Sequence, residues 1–194
     1  MTRSLLVGSI AGAILSIFPA CGKAPVPCDG DTLMDDPYSC PDRASLGFAQ
    51  EFGSGTYIGQ KPQESLSIRN GGVKDLQVSE VSFSGDSAFA MSVEPAAPTS
   101  VKGNKYIYMR VVFTPTEARA YSGTITVKSN AANADGGQQV FAVTGCGVPQ
   151  DSNRPCAKDS DCGDPNQRCA NPPGDGGMSG VCRGVSPCYR DGGL

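Results

Sequence analysis

The stretch that decides the fold is Tyr106-Ile107-Tyr108-Met109-Arg110-Val111-Val112-Phe113-Thr114-Pro115. From position 107 to position 113 every second residue is apolar, and the positions between them hold mostly polar or amphipathic side chains. Because side chains alternate between the two faces of a strand, this pattern predicts a half-buried β-strand with a core face and a wetter face. Pro115 ends the strand, since proline has no N–H to donate to a sheet ladder.

Similar short runs continue on both sides of this strand, between residues 46 and 148, and turn residues separate them. Their number predicts seven or eight strands over about 100 residues, which is the size of an immunoglobulin-like sandwich. Alternating rather than continuously apolar strands favour antiparallel sheets with one wet face. We therefore predict an all-β chain: an immunoglobulin-like antiparallel β-sandwich followed by a small disulfide-rich tail.

One run changes phase along its length. Leu76 and Val78 share a face, whereas Val81 and Phe83 share a face in the opposite phase. Keeping all four side chains in the core requires a shift at Ser79-Glu80, which predicts a β-bulge or a change of sheet there.

The sandwich segment also resembles a known family through an ordered set of short motifs. It is similar to the bacterial choice-of-anchor D repeat, a relative of the ASPM–SPD-2–Hydin (ASH) and major-sperm-protein immunoglobulin-like domains, in Phe52-Gly53, Ile58-Gly59-Gln60, Leu66-Ser67-Ile68-Arg69-Asn70-Gly71-Gly72, Leu76-Gln77-Val78, Ser84-Gly85, Phe89, Val112-Phe113-Thr114-Pro115, Tyr121-Ser122-Gly123-Thr124-Ile125-Thr126-Val127-Lys128-Ser129-Asn130 and Val143-Thr144-Gly145-Cys146-Gly147. Cys146 departs from the family, which has a small or apolar residue other than cysteine there. The resemblance implies the fold and a non-enzymatic scaffold or binding module.

The composition argues against catalysis and nucleic-acid binding. The chain has 194 residues, a formal net charge of −3, and neither histidine nor tryptophan. Without histidine it lacks the commonest metal ligand and the usual general base near neutral pH. It has no basic stripe, nucleotide fingerprint or nucleophile elbow. We expect no enzymatic activity, no cofactor, no metal and no nucleic-acid partner.

Residues 1–20 resemble an export signal. A short basic start precedes an apolar run over residues 5–18, which at 14 residues is shorter than the ~20 that a membrane-spanning helix needs. Ala20-Cys21 then resembles the bacterial lipoprotein signal, in which the cysteine is diacylated and begins the mature protein, although Phe18 and Pro19 depart from the usual motif.

This resemblance implies attachment to a membrane through acyl chains on Cys21, and Gly22 favours the outer membrane. Setting Cys21 aside leaves eight of the nine cysteines, an even number. The alternative is that Cys21 is one more disulfide partner in a secreted protein.

Residues 21–45 are rich in proline, glycine and aspartate and predict a linker. A calcium loop starting at Asp29 fails, because Met34 and Cys40 stand where an EF-hand requires glycine and glutamate. We interpret the acidic residues of this segment as solvated.

Residues 149–194 form a cysteine-rich tail with the spacing Cys156-x5-Cys162-x6-Cys169-x12-Cys182-x5-Cys188. Its run 156–162 resembles the start of small secreted cysteine-rich repeats. The chain has no C-x-x-C pair, so disulfides are favoured over zinc. So small a unit depends on its bridges for most of its order.

The five tail cysteines are an odd number, so one of them requires a partner outside the tail. The first and last strands of an immunoglobulin-like sandwich run parallel and side by side, which separates Cys40 from Cys146 by more than the ~7 Å that a bridge spans between Cα atoms. We predict a local Cys28–Cys40 bridge and a bridge from Cys146 to the tail. The other pairings stay open.

Tyr106, Tyr108 and Arg110, on the wetter face of the best strand, form a candidate interaction patch, because tyrosine and arginine are enriched in interfaces. Ordinary cross-strand packing is the alternative. Asp159 and Asp161 are paired carboxylates, which we interpret as solvated loop acids.

These observations leave two hypotheses. The first is an exported, acyl-anchored cell-envelope lipoprotein whose sandwich is a non-enzymatic binding or structural module for a protein or envelope-polymer partner. The second is a secreted inhibitor or ligand-capture protein that acts through its disulfide-rich tail.

Overall fold

The computed structural model describes residues 28, 33–48, 55–170 and 180–188. The chain divides into two units, Met1–Gly30 and Asp31–Leu194. The second unit contains a single-turn 3-10 helix, Asp159–Asp161, and the strands β1 (Ser39–Pro41), β2 (Ser45–Phe48), β3 (Thr56–Tyr57), β4 (Gln63–Asn70), β5 (Leu76–Gly85), β6 (Phe89–Glu94), β7 (Thr99–Val101), β8 (Tyr106–Phe113), β9 (Ala120–Ser129), β10 (Gln138–Val148), β11 (Pro155–Cys156), β12 (Gln167–Ala170) and β13 (Gly180–Gly184). Among the described residues, no helix has the length and apolar character to cross a membrane.

The first sheet of the sandwich has four antiparallel strands in the order β1-β4-β8-β6. Strand β8 lies inside this sheet, between β4 and β6, and its burial alternates as the sequence predicts. The core side chains of β8 are fully buried and are those of Ile107, Met109, Val111 and Phe113.

The second sheet has the order β2-β10-β9-β5-β7, and β3 also pairs with β10. Strands β2 and β3 run parallel to β10, and the other pairs are antiparallel. The parallel pairing of β2 with β10 is the arrangement expected for the first and last strands. The two sheets together confirm an all-β immunoglobulin-like sandwich.

An aromatic cluster joins the two sheets. Phe89 and Phe113 of the first sheet stack with ring centroids 4.8 Å apart. Phe48 and Tyr121 of the second sheet approach Phe113 at 5.4 and 5.2 Å. Aromatic pairs at these distances add roughly 0.5–1.5 kcal/mol each beyond the area they bury, so this cluster holds the sheets at a defined separation.

The phase change in β5 is a register shift, as predicted. The pairing of β5 with β9 skips a residue between Val78 and Glu80, so no residue of β9 pairs with Ser79. The shift lets Val78 and Val81 both face the core although they are separated by an odd number of positions.

The strand count differs from the expected seven or eight, because ten strands belong to the two sandwich sheets. The chain enters the sandwich through three short segments, β1, β2 and β3, which pair with different partners. Strand β1 lies inside the segment 21–45 predicted as a linker, so that boundary was wrong: Ser39, Cys40 and Pro41 pair with β4. Residues 49–54 of the predicted sandwich segment 46–148 lie outside the described residues.

Candidate functional site

The candidate patch lies on the outer face of the first sheet, where β8 presents Tyr106 and Tyr108 at 43% and 41% exposure. Their rings stack, with centroids 5.8 Å apart and planes at 18°. Arg110, the next outward residue, is also exposed, and its Nη2 lies 3.8 Å from Oε2 of Glu94. We call Tyr106, Tyr108 and Arg110 the tyrosine patch.

The neighbours of the tyrosine patch are charged residues and serines. Arg69 of β4 stands opposite Tyr106, and Ser67 of β4 and Glu94 of β6 stand opposite Tyr108. Two serines, Ser65 of β4 and Ser92 of β6, stand opposite Arg110. Within the described part of the chain, neither tyrosine hydroxyl makes a hydrogen bond. The two rings therefore lie among polar side chains and offer two phenol groups, each able to donate and accept.

This arrangement combines both interpretations of the patch. The tyrosine rings pack on each other and Arg110 pairs with Glu94, which is ordinary packing within a sheet. The same groups remain open to solvent, and an exposed ion pair of this kind contributes about 0–1 kcal/mol to folding, so a ligand that displaces it meets little resistance.

A second polar cluster, at the β8–β9 turn, holds the fold together. The hydroxyl of Tyr121 accepts from the N–H groups of Thr116 and Glu117 at 3.2 and 2.9 Å and donates to the carbonyl of Glu117 at 3.2 Å. The Arg119 guanidinium lies 3.8 Å above the Tyr121 ring centroid. A tyrosine that bonds back to the turn before its own strand is a known device of immunoglobulin-like sandwiches.

Asp86 completes this corner. Its carboxylate accepts from the N–H of Ser122 at 2.7 Å and from the guanidinium of Arg119 at 2.9 Å. These two contacts, in that order of importance, lower the pKa of Asp86. Because these bonds join the β5–β6 turn to the β8–β9 turn, we assign this cluster a structural role.

Asn70 is a buried residue whose side chain makes four hydrogen bonds. In the sequence it stands in an Asn-Gly-Gly turn signal, which gave no indication of this role. Its side chain is fully buried. Its Oδ1 accepts from the N–H of Gly72 at 2.8 Å and from that of Tyr38 at 3.4 Å. Its Nδ2 donates to the carbonyls of Lys74 and Val101, each at 2.8 Å. One amide thus links the ends of four chain segments.

The tail forms its own three-stranded sheet, in the order β11-β13-β12, and disulfides cross it. Cys156 bonds to Cys169 and Cys162 bonds to Cys182. Cys146, at the end of the sandwich, bonds to Cys188, so the odd tail cysteine takes the partner that the count required. The tail and the last strand of the sandwich are therefore covalently joined.

Cys28 and Cys40 are each disulfide-bonded as well. Their pairing with each other stays a prediction. Cys21 lies outside the described residues, so its acylation also stays a prediction.

The acidic pair of the tail has a structural role that the sequence did not reveal. Asp161 accepts from the N–H groups of Ala157 and Lys158 at 3.0 and 3.1 Å, and these bonds lower its pKa. Asp159 accepts from the N–H of Cys169 at 2.9 Å. Asp159 is exposed and Asp161 is half-buried, and both fix the single-turn helix against β12, so the interpretation as merely solvated acids was incomplete.

Three sulfur atoms of the tail lie within 4.8 Å of one another, those of Cys156, Cys162 and Cys182. All three belong to disulfides, and metals bind cysteine as the thiolate, so this group is not a metal site in the oxidised protein. Beside it a shallow hollow of about 580 Å³ is lined in part by Arg154, Ser160 and Asp161. Its lining is more polar than apolar.

No family model matches this chain, and no curated protein matches it in sequence. Solved structures with a similar arrangement include the ASH / PapD-like domain of human CEP192, at 13% identity and a TM-score of 0.43, over 77% of this chain and 97% of that one. The E. coli chaperone DraB matches at 14% identity and a TM-score of 0.38, over 69% of this chain and 70% of DraB.

The secreted serine protease VesC from Vibrio cholerae also matches, at 12% identity and a TM-score of 0.39 over 58% of this chain. This chain spans only 23% of VesC. The fold assignment rests on the two sheets and their strand order, which are those of an immunoglobulin-like sandwich.

Proposed function

We propose that this chain is an exported cell-envelope lipoprotein, acylated at Cys21, whose sandwich is a non-enzymatic binding module. The observation that carries the proposal is the state of the cysteines. Eight of the nine are disulfide-bonded, which supports folding in an oxidising compartment. The ninth, Cys21, follows an apolar segment of signal-peptide length. Two or three acyl chains would then attach the chain to the membrane stably.

Labelling with a fatty-acid analogue tests the anchor. The parent chain is expected to incorporate label and to fractionate with membranes, whereas Cys21→Ala incorporates none. Cys28→Ala is the matched control, because it also removes one sulfur but should keep the label. Equal labelling of Cys21→Ala and the parent would contradict acylation at this position.

We propose the tyrosine patch as the binding surface of the module. Its two stacked phenol rings and one guanidinium suit a partner with flat apolar surface and hydrogen-bonding groups, such as a protein loop or an envelope polysaccharide. Capture from envelope extracts should be lost with Tyr108→Ser and weakened with Arg110→Ser. Val140→Ser is the control, because Val140 is a 58% exposed residue on the other sheet. Loss of capture with Val140→Ser alone would assign binding to the other face.

The second candidate function is ligand capture by the tail, and the polar hollow at Arg154 favours it. The whole protein is the reagent of choice, because Cys188 has its partner outside the tail. If the tail inhibits proteases, Arg154→Ala should weaken inhibition at least tenfold, whereas Tyr108→Ser should not change it. No inhibition by the parent chain of any protease tested would remove this candidate.

A further inference from the structure

Among the described strands, β6 is the longest edge of the sandwich sheets with little protection against pairing with another chain. It is six residues long, and among the described strands only β8 pairs with it. The edges formed by β1, β2 and β7 are three, four and three residues long. The open part of β5 contains the bulge at Ser79 and the charge of Glu80.

Short length, bulges, prolines and charges are the features that prevent edge strands from joining a foreign sheet. Between Phe89 and Val93, β6 has none of the last three: its residues are Phe89, Ala90, Met91, Ser92 and Val93. Only Glu94 and the following Pro95 limit it, at one end.

The unpaired backbone groups of β6 can be assigned from its pairing with β8. Just before β6, the N–H of Thr114 donates to the carbonyl of Ala88 at 2.8 Å. Because hydrogen bonding alternates along an antiparallel pair, every second residue after Ala88 bonds to β8. The residues between them, Met91 and Val93, direct their N–H and C=O groups toward the open side.

The side chains at this edge are suited to being covered. Met91 and Val93 face the core but are only half-buried, because β6 is the last strand of its sheet. Ala90 and Ser92, on the outer face, are small and exposed. A strand added beside β6 would pair the open backbone groups and cover both half-buried side chains.

We propose that β6 is a self-association edge, at which two copies of this chain pair antiparallel about a twofold axis through Ser92. In this register, Met91 of each copy stands opposite Val93 of the other. The open N–H and C=O groups of these two residues are then all paired. A symmetric, self-complementary contact of this kind is the commonest way in which identical chains associate.

The charges of the edge agree with this register. Ala90 stands opposite Glu94 of the other copy, so each carboxylate lies beside a small neutral residue. The Glu94–Arg110 contact of 3.8 Å within each copy can stay in place. No pair of like charges is brought together on the strand.

The paired sheets would form one continuous eight-stranded sheet, since each copy contributes four strands. Both tyrosine patches lie on its outer face. Pairing at β6 requires neither acylation of Cys21 nor a ligand on the tyrosine patch, because it uses the strand edge alone.

Cysteine cross-linking in intact cells tests the register. Ser92 and its symmetry mate form a non-hydrogen-bonded pair with Cα atoms about 4.5 Å apart, which a disulfide can bridge. The full chain carrying Ser92→Cys should therefore run at twice its mass on non-reducing gels. Ala90→Cys is the matched control, because its symmetry mate lies about 14 Å away. The parent chain gives the background.

A second substitution separates the edge from the fold. Met91→Pro removes an N–H that points to the open side, whereas the bonds of β6 to β8 do not involve it. In the Ser92→Cys chain it should reduce the dimer at least tenfold, and Met91→Lys should do the same by placing a charge at the edge. The proposal is overturned if Ser92→Cys stays monomeric, if Ala90→Cys cross-links equally well, or if both folded Met91 variants cross-link like Ser92→Cys alone.

Discussion

Replacing Asn70 with alanine tests the view that one buried amide holds the first sheet to the loops around it. The substitution removes two donors and two acceptor contacts at once. The bonds to Gly72 and Val101 are fully buried, and those to Lys74 and Tyr38 are partly buried. A buried backbone group left without a partner costs about 1–3 kcal/mol.

The two fully buried bonds alone therefore predict a loss of about 2–6 kcal/mol on Asn70→Ala. That is a large fraction of the ~5–15 kcal/mol by which a domain is normally stable. Water that enters the space left by the amide would reduce the loss, and the long contact to Tyr38 adds little to it.

Urea unfolding with the disulfides intact measures this loss. Asn70→Asp is the informative companion, because it keeps the acceptor for Gly72 but turns an oxygen toward the carbonyls of Lys74 and Val101. It should be at least as destabilising as Asn70→Ala. Asn130→Ala, which removes one exposed bond to the N–H of Gln77, should cost about 0.5–1 kcal/mol. A loss below about 1 kcal/mol for Asn70→Ala would refute the reasoning.

Three further predictions concern the other polar and covalent contacts. Tyr121→Phe keeps the ring but leaves two turn N–H groups unpaired, and it should cost about 1–2 kcal/mol in urea unfolding; an unchanged urea midpoint would show that the Tyr121 hydroxyl does not stabilise this turn. Because the folded pKa of Asp86 is lowered, its contribution is present above its ordinary pKa and disappears as the pH falls through the folded value. The stability difference between the parent and Asp86→Asn should therefore shrink below about pH 4; a difference that is constant with pH would contradict this. Replacing Cys146 and Cys188 with serine opens a loop with a sequence separation of 42, and loop-closure entropy predicts a loss of about 4 kcal/mol, measured by the same unfolding; a loss under 1 kcal/mol would show that the tail is held by other contacts.

Sequence periodicity predicted the parts of the fold in which several residues repeat one pattern. The alternation of β8 gave its core face residue by residue, and the phase change between Val78 and Val81 located the bulge. Strand β1 was missed because three residues carry no period, and its Pro and Asp neighbours resemble a linker. Periodicity also contains no information about which side chain bonds to which backbone group. The roles of Asn70 and Tyr121 are therefore visible only in the folded structure.

The candidate site shows the same division. The outward positions of Tyr106, Tyr108 and Arg110 follow from alternation alone. Which side chains stand beside them, Arg69 at Tyr106 and Ser67 with Glu94 at Tyr108, depends on the register between β8 and its neighbours. Register is set by turns and by long-range pairing, and the sequence of one strand does not contain it.

The junction between the sandwich and the tail shows how the tail is held. Strand β10 continues directly into residues 149–151, and β13 lies against that segment so closely that a Cβ on Gly184 would stand 2.0 Å from the carbonyl oxygen of Pro149. The N–H of Gly184 donates to Asp151 at 2.8 Å, and the Cys146–Cys188 bridge closes the same contact covalently. A glycine that admits no side chain, a carboxylate bond and a disulfide all fix one orientation. Any ligand that the tail binds is therefore presented at a set position relative to β10, and a loss of the bridge should reduce both the stability of the tail and the precision of that position.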